Sequence, residues 1–103
     1  ENAAKVAVRD SKIGGSYQVV QSGKAKIVGT KVKGNILIDE NDRANKVIDN
    51  IVIQNVQAFQ NTGGVEIRDN EIDGNLQCKQ NSPRPTGGDN VVQGNKEDQC
   101  KRL

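Results

Sequence analysis

Asp49, Asp69 and Asp89 recur at a spacing of twenty, with Arg68 beside the middle one, Lys46 shortly before the first, and Glu71 and Asp73 just after Asp69. Clustered carboxylates next to a basic side chain are the equipment of polysaccharide lyases and hydrolases, where a carboxylate pair or a carboxylate with an Arg or Lys base moves the proton. Stacked carboxylates could also share a calcium ion that bridges them to an acidic sugar. The competing reading is turn chemistry. Asp next to Asn is what corners favour, and water screens the charges of a solvated column. The turn reading outweighs the ligand reading, so Asp49, Asp69, Asp89 and Arg68 stand only as candidate ligand or calcium contacts. No catalytic residue, resident metal or cofactor is assigned.

Other chemistries lack their parts. The chain has no His, which removes the commonest general base and metal ligand, and two cysteines cannot complete a tetrahedral zinc site. A nucleophile would stand without its base. Cys78 and Cys100 are 22 residues apart with no activating motif around them, which favours a structural disulfide in an oxidising compartment over a redox pair. Sugar stacking could use only Tyr17 and Phe59. Tyr17 falls in an inward position near one end, and Phe59 on the outward phase is the one apolar side chain expected to be exposed, as a contact candidate.

Basic and acidic residues are interspersed and nearly balanced, with a net charge of +2, which argues against a nucleic-acid partner. No apolar run is long enough to insert in a membrane. No signal peptide is present either, so an exported form is expected to be mature or trimmed. The apolar residues, 33% of the chain, are mostly β-branched, with 2% aromatics and neither Met nor Trp. That composition favours short strands, in a single domain spanning residues 1–103.

What positions these side chains is a repeat. Asn35, Asn55, Asn75 and Asn95 lie twenty apart, as do Asn50, Asn70 and Asn90, and Asn41, Asn61 and Asn81. Apolar residues keep the same frame: Ile27, Val47 and Ile67; Val32, Val52, Ile72 and Val92; Ile36, Val56 and Leu76; Ile38, Ala58 and Cys78. The first turn fits if it is one residue shorter near Gly23, which aligns Val6, Val8, Ile13, Tyr17 and Val19 with Ala25, Ile27, Val32, Ile36 and Ile38. Within a rung, short alternating groups separated by Gly and Asn mean strands and corners. The expected fold is all-β, a single-stranded right-handed parallel β-helix of about five rungs of ~20 residues, roughly 24 Å tall, with Asn ladders at its corners.

The frame also fixes the ends. Residues twenty apart stack directly, so Cys78 and Cys100 come together as the chain folds over the last rung, and their disulfide caps it. Pro85, Gly87, Lys96 and Asp98 make that rung polar. At the other end only Glu1 to Ala4 precede the first strand, too few to cap it. Val6, Val8, Ile13, Tyr17 and Val19 are therefore expected in an exposed rung, a candidate self-association edge for a homodimer unless upstream rungs of a longer parent chain cover it.

The segment 59–100, with GNLQC at 74–78 and GNKEDQC at 94–100, resembles the C-terminal end of poorly characterised exported bacterial proteins with right-handed parallel β-helix repeats. Earlier rungs match only the repeat, which cytoskeletal bactofilins share in looser form; the cysteines set this chain apart from those cytoplasmic proteins. The resemblance implies a secreted or periplasmic location and no activity at particular residues. The expected role is a non-catalytic structural or interaction module that associates with itself or an envelope component. The alternative is an acidic-polysaccharide binding or lyase-type domain built on the Asp column, with or without calcium.

Overall fold

The computed structural model describes residues 5–21 and 24–103, with side-chain surroundings given from Ala7 onward. The chain winds through fifteen strands among these residues. The first two turns carry β1 (Lys5–Arg9), β2 (Lys12–Ile13), β3 (Tyr17–Val20), β4 (Lys24–Val28), β5 (Lys31–Val32) and β6 (Ile36–Asp39). The next two carry β7 (Asn45–Ile48), β8 (Ile51–Val52), β9 (Val56–Phe59), β10 (Val65–Arg68), β11 (Glu71–Ile72) and β12 (Leu76–Lys79). The last holds β13 (Thr86–Gly88), β14 (Val91–Val92) and β15 (Lys96–Asp98). Every third strand stacks in parallel, giving three five-stranded sheets: β1-β4-β7-β10-β13, β2-β5-β8-β11-β14 and β3-β6-β9-β12-β15. The fold is a parallel β-solenoid.

Register follows the repeat. Ile27 pairs with Val47 and Val47 with Ile67, while Val32 stacks on Val52, Val52 on Ile72, and Ile36 on Val56. The shorter first turn is also seen, since Val6 pairs with Ala25, Val8 with Ile27, Ile13 with Val32, and Tyr17 with Ile36. Ser22 and Gly23, where the missing residue was expected, lie outside the described residues, as do Glu1 to Ala4 and the surroundings of the Val6 side chain. Inward positions of all three sheets form one core in which Ile27, Val47, Ile67, Ile72 and Leu76 are almost fully buried. Each such side chain stabilises by about 1.5–3 kcal/mol relative to exposure.

Corners repeat as regularly as strands. Asp10, Gly29, Asp49, Asp69 and Asp89 occupy one left-handed corner, and Gln21, Glu40, Gln60 and Gln80 another, all with φ between 51° and 65°. On most turns the residue that follows is a buried Asn: Asn50, Asn70 and Asn90 at the first corner, Asn41, Asn61 and Asn81 at the second. A left-handed residue turns the chain so that the next side chain points inward, where its amide must find partners. It finds them on neighbouring rungs. The Asn70 amide donates to Val47 O at 2.9 Å and to Asn90 Oδ1 at 2.9 Å, while its own oxygen accepts from the Asn50 main-chain and side-chain nitrogens at 2.9 and 3.0 Å.

The third Asn column differs. Asn55, Asn75 and Asn95 face outward, and each donates its main-chain N–H to the side-chain oxygen of the Asn on the rung before, at 2.7–2.9 Å. Gly74 and Gly94 precede two of them because a Cβ there would collide with the incoming Asn oxygen and the carbonyl of the rung before. The sequence alone treats the three columns alike; the structure separates two buried ladders from one solvated ladder.

Candidate functional site

The Asp column is a set of corner residues. Asp49, Asp69 and Asp89 have φ of 56°, 58° and 57° and point to solvent, so backbone conformation accounts for their recurrence. Arg68 is held by its own strand: its guanidinium meets Glu66 at 2.8 Å and Asp69 at 3.1 Å. The Glu66 hydrogen bond, with help from Asp69, raises the Arg68 pKa further above its ordinary value. Lys46 pairs in register with Glu66 on the outward face of β7 and β10 rather than joining the Asp corner. Among the described residues no group of three or more His, Cys, Asp or Glu side chains is placed to hold a metal ion. A shallow hollow beside the corner is lined by Lys12, Lys31, Asp49 and Ile51, but neither Asp69 nor Asp89 reaches it.

Cys78 and Cys100 form the disulfide, with Cα atoms 5.2 Å apart and both residues fully buried. The cap around it is more complete than a polar last rung. Gln99 Oε1 accepts from the Asn81 main-chain and side-chain nitrogens at 2.8 and 3.0 Å, taking the place of the next Asn in that ladder. The Leu103 main-chain oxygen accepts from Asn90 Nδ2 at 2.9 Å and Asn90 N at 3.2 Å, closing the other. The Leu103 side chain joins the core. Neither residue keeps the period of twenty, so the repeat carries no signal for them.

At the opposite end the expected exposed rung is only partly exposed. Val8 and Ile13 are half-buried, but Tyr17 and Val19 are buried. An inward side chain in so narrow a solenoid packs along the stack instead of projecting from its end, and the Tyr17 ring is long enough to bring its hydroxyl within 3.4 Å of Lys26 O in β4. Burial pushes the Tyr17 hydroxyl pKa up to about 12.

Phe59 is likewise not the exposed apolar residue expected. It is half-buried in an outward column between Asp39 and Lys79. Beside it, Asp39 Oδ1 is buried without a hydrogen-bond partner, and desolvation, then repulsion from Glu40, raises its pKa. Among the described residues, the exposed large apolar side chains are Ile51, Ile53 and Val91, at 45%, 39% and 55%. All three lie on the flat face of the β2-β5-β8-β11-β14 sheet. Lys12, Lys31, Ile51, Glu71 and Val91 stack there in one column. Gly14, Lys33, Ile53, Asp73 and Gln93 extend the levels in a second, where the N–H groups of 33, 53, 73 and 93 each bond the rung before at 2.9–3.0 Å. From the first rung to the last, the first column reads lysine, lysine, isoleucine, carboxylate, valine and the second glycine, lysine, isoleucine, carboxylate, glutamine. The columns were legible, since Ile51 shares its position with Lys31 and Glu71.

Compared with family models, curated proteins and solved structures, the chain matches none.

Proposed function

We propose that this chain is a non-catalytic interaction module of an exported protein, secreted or periplasmic, that associates with itself or with an envelope component. The observation that carries this reading is the engagement of the residues best suited to chemistry: the Asp column serves as left-handed corners, and Arg68 is occupied by Glu66 and Asp69. What the described surface offers instead is flat sheet, which suits docking better than turnover. The disulfide favours an oxidising compartment. The likeness of segment 59–100 to exported bacterial β-helix proteins agrees with that placement.

One route to self-association is the N-terminal edge, where among the described residues β1, β2 and β3 each pair with a strand on one side and Val8 and Ile13 are partly exposed. Sedimentation velocity at several concentrations tests the module reading, with concentration-dependent association or capture of a cell-envelope fraction as the expected result. A glycan array probed with and without calcium tests the alternative. Calcium-dependent binding of acidic polysaccharide, abolished by Asp69→Asn, would overturn the proposal.

A further inference from the structure

We propose that the flat face of the β2-β5-β8-β11-β14 sheet is a docking surface for a second copy of this chain, packed antiparallel about a two-fold axis along β8. The inference rests on the interaction-module reading and names its face and partner.

The argument is the charge order along the face. An axis lying in the interface along the third rung leaves each column opposite itself while reversing the order of rungs. Ile51 then meets Ile51 and Ile53 meets Ile53 at the centre. Lys31 and Lys33 of the second rung come opposite Glu71 and Asp73 of the second copy's fourth rung, and the reverse pairs form on the other side. Lys12 lies opposite Val91, where its aliphatic stem can pack. The alternative two-fold, running along the stack, would place lysine on lysine and carboxylate on carboxylate, and like charges face to face disfavour it.

The charges are free for this use. Among the described residues, Lys31, Lys33, Glu71 and Asp73 form no ion pair within the chain, the ion pairs being those of Arg68. Two isoleucines side by side between the lysines of the second rung and the carboxylates of the fourth, each about two-fifths exposed, give the contact its desolvated centre. Five rungs at about 4.8 Å make the face roughly 24 Å tall. About three residues wide at about 3.3 Å each, the face covers roughly 240 Å², below the ~800 Å² per partner of a standard interface, so the dimer is a weak one.

The test uses two doubly reversed variants, Lys31→Glu/Lys33→Glu and Glu71→Lys/Asp73→Lys, both altered only at exposed positions. Sedimentation of the wild type up to about 1 mM should show a reversible dimer. Each variant alone should dimerise at least about tenfold more weakly, whereas an equimolar mixture should recover dimer, because one copy then carries two acidic ends and the other two basic ends. Val8→Lys should leave the wild-type dimer intact. A wild type that stays monomeric throughout, or a mixture that stays monomeric, would overturn the inference. Dimers lost in Val8→Lys but kept in both reversed variants would also overturn it, while leaving the module reading in place through the edge.

Discussion

Asn70 and Asn75 are the same residue type five positions apart, yet removing each should have different consequences. Truncating Asn70 to Ala takes its side-chain donor from Val47 O and its acceptor from the Asn50 main-chain N–H, and leaves the Asn50 amide only its bond to Ile27 O, in a dry interior where each unsatisfied group costs about 1–3 kcal/mol. Asn70→Ala should therefore destabilise by about 3 kcal/mol or more, and Asn75→Ala by less than about 1 kcal/mol, because water can replace its exposed acceptor. Paired thermal melts check this, and equal shifts would mean that the ladders are not distinct. The sequence shows that both asparagines recur but not which faces inward, since that depends on the left-handed residue before Asn70. Tyr17 offers a second test. Its folded pKa of about 12 exceeds the ordinary 10.0, so the stability tied to its neutral form is complete below pH 10 and is lost as pH rises through 12. As the only tyrosine, its ionisation is read directly from tyrosinate absorbance, and a midpoint near 10 in the folded protein would show the ring to be solvated. Asp39, whose raised pKa marks a carboxylate better neutral than charged, predicts that Asp39→Asn raises the melting temperature at pH 7 and has no benefit in acid, below the ordinary carboxylate range.

Strands, corners and cap were legible to different degrees. The strands could be read because inward and outward phases alternate identically on every turn, and the registers of Val8 with Ile27 and Ile13 with Val32 follow from that pattern alone. The Cys78–Cys100 bond was legible for the same reason, and reducing it should destabilise by about 3 kcal/mol, measurable as a denaturation midpoint shift with and without reductant. The rest of the cap was not. Gln99 and Leu103 work through one amide and one main-chain oxygen placed by a terminal turn, in which the Cys100 and Leu103 N–H groups bond Glu97 O and Cys100 O at 3.1 and 3.0 Å. Exposure of Ile51 and Ile53 went unread because an Ile in a repeat protein invites assignment to the core. The inward position of Tyr17 was legible from its column with Ile36, but its burial in the first rung was not, because that depends on how far the ring reaches along the stack toward Lys26 O.

For the whole molecule, the governing fact is that rungs are held only by their neighbours, so a defect in the middle divides the stack. Ile67→Asp places an unpaired charge between Val47 and the last turn and should abolish the cooperative melt, while Glu66→Lys on the opposite face should leave it nearly unchanged. A direction also runs through the solenoid. In the two buried ladders each rung donates to the Asn oxygen of the next, from Thr30 through Asn50, Asn70 and Asn90, and from Asn41 through Asn61 and Asn81. A rung added beyond the fifth would have to supply the next acceptors, and Gln99 Oε1 and the Leu103 oxygen already fill those places. These two groups behave as chain terminators on a template that would otherwise keep copying itself. Deleting residues 99–103 should therefore yield a protein that elongates by cross-β addition at that end, seen as lag-phase growth of thioflavin fluorescence, with filaments seeded by the truncated form but not by the intact one.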